Sequence, residues 1–141
     1  MEITERQSEQ LPALQALYLA SRRAAFPWLD TRDYALSDFE RDTRGERVLV
    51  AQEGSWVVGF IGIYEPDQFI HHLYVDPDRL HQGIGRRLLL AARQTYPTMH
   101  LKCLTRNQRA LLFYRAMGFT CQGRGRGAHG DYYWLHLASH D

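Results

Sequence analysis

Between Leu73 and Leu90 the chain passes from an apolar, β-prone run (Leu73-Tyr74-Val75) through a proline turn (Asp76-Pro77-Asp78) to the glycine pair Gly83 and Gly85, and then into an amphipathic helix. This stretch constrains the fold most, because a strand, a tight turn and a helix must meet within it. Gly83 and Gly85 lack Cβ atoms, so the backbone there can turn sharply and approach a ligand closely. The helix opens with amides that have no partner in its own ladder, at the positive end of its dipole. That pairing suits a phosphate or pyrophosphate. A lone Gly-x-Gly also fits an ordinary strand-to-helix turn. It is not a nucleotide P-loop, since no Lys-Ser or Lys-Thr follows Gly85. Nor is it the dinucleotide fingerprint, whose third glycine and later acidic residue are missing.

The helix carries Ile84, Leu88 and Ala92 four apart, with Leu89 and Ala91 widening the apolar stripe, and ends at Tyr96-Pro97. Upstream, Arg47 to Gln52 and Trp56 to Tyr64 are β-prone runs joined by Glu53-Gly54-Ser55, a hairpin signal. Phe69 to Val75 follows after Glu65-Pro66-Asp67-Gln68, so three adjacent antiparallel strands are expected. Met1 to Gln7 reads as an edge strand, and Gln10 to Arg23 as a helix on Leu11, Leu14, Leu17 and Tyr18. Phe26-Pro27-Trp28 interrupts that helix and brings two aromatic rings to a loop, as core cover or as a wall of a substrate pocket. Tyr34 to Thr43 is expected to be a short helix with Leu36 and Phe39 inward. Downstream come a strand from Met99 to Leu104 and a helix from Asn107 to Met117, stopped by Gly118. Gly123 to Gly130 reads as a flexible hairpin tip, and Tyr132 to Leu137 as the closing strand. The expectation is one α/β domain over residues 1–141, with a mixed central sheet of about six or seven strands and about four helices.

With 141 residues, 45% of them hydrophobic, the chain has material for one real core but not for two domains. A net charge of +1 argues against an obligate nucleic-acid binder. Cys103 lies in an apolar run and reads as a buried thiol; with Cys121 it makes no disulfide framework. The start, Met1-Glu2-Ile3-Thr4-Glu5, has neither a basic opening nor an apolar signal core. No apolar run approaches the roughly 20 residues that cross a bilayer. The reading is a cytoplasmic protein with no membrane or nucleic-acid partner, either monomer or homodimer.

A second motif, Asn107-x-x-Ala110-x-x-Phe113-Tyr114-x-x-x-Gly118-Phe119, follows the glycine turn. Together the two resemble the GNAT superfamily of acyl-CoA-dependent N-acetyltransferases, and most closely its small single-domain bacterial members. The resemblance covers most of the chain. It implies acetyl-CoA as co-substrate, no metal, and a splayed pair of parallel strands, Phe69 to Val75 and Met99 to Leu104. It assigns the pyrophosphate to the turn of His81, Gln82, Gly83, Ile84, Gly85 and Arg86. Where the family has Gln or Arg, this chain has Leu80, a change that leaves backbone donors intact; Arg79 or Arg87 is the expected substitute. Leu73, Tyr74 and Val75 line the thioester. The amide of Val75, or of Tyr74, is expected to face the oxyanion. Asn107, Ala110 and Phe113 fall to the pantetheine arm. Tyr114 matches the tyrosine that protonates the departing thiolate, a role suited to a phenol with a reference pKa of about 10.

The base is less tightly specified. Strict alternation puts Phe69, His71, Leu73 and Val75 on one face and Ile70, His72 and Tyr74 on the other. Some family members carry an acidic residue or histidine two or four positions before the residue matched by Leu73. His71 fits that place as general base, with water and Tyr114 alone as the alternative. A metal is not expected, since His71 and His72 would face opposite ways with no third ligand. Phe26, Trp28, Glu65, Phe69 and Tyr132 are the expected acceptor-site residues. The acceptor region lacks a dense acidic patch, so a peptide or protein amine is preferred over polyamines and aminoglycosides. A catalytically idle acyl-CoA sensor is the competing reading. A toxin-like acetyltransferase acting on aminoacyl-tRNA would want a continuous basic surface, which the net charge of +1 does not favour.

Overall fold

A computed structural model describes residues 1–138. Seven strands form one sheet: β1 (Glu2–Glu5), β2 (Arg47–Glu53), β3 (Trp56–Tyr64), β4 (Phe69–Val75), β5 (Met99–Leu104), β6 (Thr120–Gly127) and β7 (Gly130–Leu137). Their order across the sheet is β1-β2-β3-β4-β5-β7-β6. The helices are α1 (Leu11–Ala25), α2 (Asp38–Asp42), α3 (Ile84–Arg93) and α4 (Gln108–Ala116). Neighbours are antiparallel except β4 and β5, which run parallel and pair only at Phe69 and His100. Beyond that bridge the two strands part, while β4 stays paired with β3 as far as Val75. No helix among the described residues is long and apolar enough to cross a membrane.

The two sheet faces carry separate cores. On one, Ile84, Leu88, Leu89 and Ala92 of α3 pack with Ile61, Ile63, Ile70, Met99, Leu101 and Leu135, and Phe113 and Tyr114 of α4 join them. On the other, Leu14, Leu17 and Tyr18 of α1 and Phe39 of α2 pack on Val48, Val50 and Phe60. Burying side chains such as Leu88 and Leu89 stabilises by about 1.5–3 kcal/mol each. Gly59 lets α3 sit tightly on β3: a Cβ there would lie 3.0 Å from Ile84 Cγ2 and Tyr74 O, and 3.1 Å from Leu88 Cδ1. Gly59→Ala is therefore expected to destabilise the fold by about 1–3 kcal/mol through overpacking, read as a lower urea midpoint with an unchanged slope.

The expected helix from Tyr34 to Thr43 is shorter, Asp38–Asp42. The Asp38 carboxylate accepts the Ala35 N–H at 2.9 Å and Arg22 Nη2 at 3.0 Å, which ties residues 35–37 into a turn ahead of the helix. Phe39 is buried, but Leu36 is half exposed. The glycine-rich stretch is likewise not a flexible tip: Gly123, Gly125 and Gly127 belong to β6 and only Ala128 and His129 make the turn. Aromatic rings from β7 lie over these glycines. A Cβ on Gly125 would come 2.5 Å from Tyr132 Oη. The missing side chains make room for rings that hold the strand.

Strict alternation fails in β4. Gly62 pairs with His72 but Ile63 pairs with Ile70, so His71 is an extra residue, a β-bulge. Ile70 thereby joins the α3-side core instead of the face of His72 and Tyr74.

Candidate active site

The turn after β4 is built by local bonds. Asp76 Oδ1 accepts the Asp78 N–H at 2.9 Å and fixes a short 3-10 turn over Pro77–Arg79. His81 and Gly83 then take left-handed φ of 64° and 78°. For His81 that is a sparsely populated backbone state, of a kind that clusters at ligand sites. The first ladder bond of α3 is Arg87 N–H to Gly83 O at 3.0 Å. Gly83 is the N-cap and offers no capping side chain, so the amides of Ile84, Gly85 and Arg86 have no intrahelical carbonyl. Buried Ile84 anchors this end in the core. A Cβ on Gly85 would lie 3.5 Å from the Phe113 ring and 3.7 Å from Val75 Cγ2. The open first turn of α3, α4 and the end of β4 therefore converge at the place where β4 and β5 have parted.

The β4 register decides which amides face that gap. Asp76 N–H donates to Val58 O at 2.9 Å. Antiparallel alternation from there makes Tyr74–Phe60 and His72–Gly62 the hydrogen-bonded pairs and turns the main-chain groups of Leu73 and Val75 toward β5. Of the two candidate oxyanion amides, Tyr74 is thus engaged with β3 and Val75 is the one aimed at the gap. The Tyr74 ring packs beside Tyr18 at 5.5 Å, and burial pushes its phenol well above the usual range.

Asn107 is the N-cap of α4, its Oδ1 accepting the Ala110 N–H at 3.3 Å. Tyr114 stands between Phe113 and Phe119, with ring centroids at 5.2 and 5.3 Å. Burial, then the neighbouring Cys103 and Tyr74, push its phenol far above its ordinary value. It carries its proton throughout the neutral range. Burial also pushes the Cys103 thiol up to about 11, so it is not a nucleophile at neutral pH.

The substitutes expected for the missing side chain at Leu80 have other partners: Arg79 Nη1 meets Glu53 at 3.0 Å, and Arg87 Nη2 donates to Met1 O at 3.1 Å. Leu80, His81, Gln82 and Arg86 are exposed along the turn. Glu65, expected at the acceptor site, is engaged elsewhere. Its carboxylate accepts the Tyr96 hydroxyl, which also receives Arg47 Nη1 at 3.1 Å. Tyr96 lies past the C-terminal end of α3, a helix of 10 residues and hence about 15 Å long, away from the open first turn.

The other residues expected at the acceptor site pack in aromatic groups. Trp28 packs on Phe26 at 5.8 Å and under the Arg106 guanidinium at 4.9 Å, joining the loop after α1 to the loop before α4. Phe69, Trp134 and Tyr132 form an aromatic row, with centroids 6.1 and 5.6 Å apart, and Lys102 Nζ sits 4.9 Å from Trp134 and 5.0 Å from Tyr132.

Sequence reasoning missed Glu46. Its carboxylate meets His71 Nδ1 at 2.7 Å and His72 Nδ1 at 3.0 Å. The two histidines do not face opposite ways, because the bulge at His71 brings both to one carboxylate. Gly62 makes room: a Cβ there would collide with Glu46 Oε1. Burial pushes the Glu46 carboxyl up, but hydrogen bonds and charge from His72 and His71 outweigh it and hold it below the usual range. A glycine between Ile61 and Ile63 was the available signal.

The architecture, a mixed sheet whose parallel pair splays beside a helix with an open first turn, is that of the acetyltransferase (GNAT) family, whose model matches residues 11–119. The chain belongs to that family. It is 30% identical over 126 residues to peptidyl-lysine N-acetyltransferase YiaC of Escherichia coli (strain K12), covering 83% of this chain and 82% of the relative. The PaiA N-acetyltransferase of Thermoplasma acidophilum, solved in complex with coenzyme A, superposes with a TM-score of 0.75 at 19% identity, covering 98% of this chain and 99% of that one. A ribosomal-protein-alanine N-acetyltransferase of Brucella melitensis also gives a TM-score of 0.75, at 22% identity and the same coverage.

Proposed function

We propose that this chain transfers the acetyl group of acetyl-CoA to the primary amine of a peptide or protein lysine, both substrates being bound together. The observation that carries the reading is the convergence at the β4–β5 gap of open α3 amides, the Val75 amide and a protonated Tyr114. The turn fits the pyrophosphate of coenzyme A. Gly83 has nothing within 4 Å of where its Cβ would stand, and the first amides of α3 have no side-chain cap. Gln82 to Arg86 would hold that group, with Leu73, Val75, Asn107, Ala110 and Phe113 along the arm.

Within this reading His71 Nε2 takes a proton from the substrate ammonium, and the freed nitrogen attacks the thioester carbon. The Val75 N–H stabilises the charge that develops on the carbonyl oxygen. As the carbon–sulfur bond breaks, Tyr114 gives its proton to the leaving sulfur, and the second proton that the nitrogen sheds in becoming an amide restores the phenol. The lysine acceptor is favoured by the E. coli relative, which acts on peptidyl-lysine by name. It is favoured too by the aromatic row of Phe69, Trp134 and Tyr132, with Lys102 beside it, a poor surface for a polycation. The test is mass spectrometry on a panel of lysyl peptides, free peptide N-termini, spermidine and an aminoglycoside with acetyl-CoA. Acetylation of lysine side chains is expected to dominate; turnover confined to spermidine or the aminoglycoside would overturn the acceptor class.

A further inference from the structure

The reading of His71 as base leaves open what orients its ring, and the β4 bulge supplies an answer. Glu46 lies between α2 and β2 with only 3% of its side chain exposed. A carboxylate removed from water is costly unless it is paired and hydrogen-bonded. The groups that pair with it are the Nδ1 atoms of His71 and His72, at 2.7 and 3.0 Å on separate oxygens. An ionised carboxylate only accepts hydrogen bonds, so each Nδ1 must carry a hydrogen. In neutral imidazole that leaves the lone pair on Nε2.

The two rings differ in access. His71 has 43% of its side chain exposed and His72 12%. His72 is boxed by Tyr18 at 5.5 Å and by Phe60 and Tyr74, each at 6.3 Å. His71 has Tyr64 stacked on it at 6.0 Å and Phe69 edge-on at 4.9 Å, at the position where β4 begins to leave β5. The charged groups behind the cluster are one layer away. Asp42 accepts from the Tyr18 hydroxyl at 2.7 Å, and the Arg22 guanidinium covers the Tyr18 ring at 3.9 Å. Glu46 is thus the charged group that directly touches the imidazoles.

We propose that Glu46 is a positioning residue: it fixes His71 and His72 as Nδ1–H tautomers, so that His71 presents a bare Nε2 to the substrate ammonium. This rests on the reading of His71 as base. The ammonium proton moves to Nε2, the resulting imidazolium keeps its Nδ1–H on Glu46, and the extra proton leaves to water when product departs. His72 is the second clamp. It holds the other carboxylate oxygen, so Glu46 cannot rotate away from His71. The bulge is what allows this, since residues adjacent on a regular strand could not share one carboxylate.

The test is long-range ¹H–¹⁵N imidazole NMR on the full chain at a pH where both rings are neutral, with Glu46→Gln and His71→Gln beside the wild type. In the wild type both rings are expected as Nδ1–H tautomers. A glutamine offers one acceptor oxygen and one donor nitrogen in the same shape, so in Glu46→Gln one ring is expected to change tautomer. With a lysyl peptide, kcat of Glu46→Gln is expected to fall about 10–100-fold while KM for acetyl-CoA stays unchanged. A wild-type spectrum with His71 as the Nε2–H tautomer would overturn the proposal, whether or not the variant folds. Full activity in His71→Gln would instead remove the base reading on which the proposal rests.

Discussion

Tyr114→Phe is expected to lower kcat for acetyl transfer by about 100-fold and leave the affinity for acetyl-CoA unchanged. The substitution removes one oxygen from a ring that is otherwise held by Phe113 and Phe119, so the shape of the pocket survives. What goes is a proton donor that burial keeps neutral and protonated at neutral pH. Without it the sulfur must leave as a thiolate or take its proton from water. Loss of a positioned acid at the low end of the usual range corresponds to about 2.7 kcal/mol of barrier. Steady-state release of free thiol, alongside calorimetric binding of acetyl-CoA, separates the two effects. Unchanged turnover would mean that the phenol is only packing; acetyl-CoA binding with no turnover in wild type or variant would favour the idle-sensor reading.

Gly83→Asp is expected to weaken acetyl-CoA binding by at least about 100-fold while costing the unliganded fold no more than about 1–2 kcal/mol. Gly83 stands at φ 78°, a region that aspartate tolerates better than most residues, and a Cβ there meets nothing within 4 Å. The left-handed backbone strains any side chain placed there, and the carboxylate offsets part of that cost by standing at the positive end of the helix dipole, so the unliganded fold stays formed. The same carboxylate occupies and repels the place proposed for a pyrophosphate. A variant that folds but cannot bind would separate the anion site from the fold. A variant that binds normally would move the pyrophosphate away from this turn and leave Leu80 in need of another account.

Much of the fold was legible because its signals are local. The apolar spacing of Ile84, Leu88 and Ala92 gave α3, the turn residues between Arg47–Gln52 and Trp56–Tyr64 gave the hairpin, and Gly118 marked the end of α4. The glycine pair and the Asn107–Phe119 motif pointed to elements that the structure brings to one gap. What could not be read depends on partners distant in sequence. The bulge at His71 is a property of the β3–β4 pairing, so alternation counted along one strand placed Ile70 on the wrong face. Glu46 precedes its histidines by 25 and 26 positions, with nothing local to link them. Glu65 is expected at the acceptor site, but the Tyr96 hydroxyl that engages it lies 31 positions on. The glycines of β6 looked flexible because the rings that cover them come from β7.

The most direct test of the central claim is a calorimetric titration of acetyl-CoA, and then CoA, into the wild-type protein. Micromolar binding with one ligand per chain, competed by CoA, is the expected result, and it would make the lysyl-peptide panel the next step. The absence of binding by either ligand would contradict the account. It would mean that the turn at Gly83, with Leu80 in place of the usual polar side chain, no longer serves a cofactor, and that the transferase reading of this site is wrong.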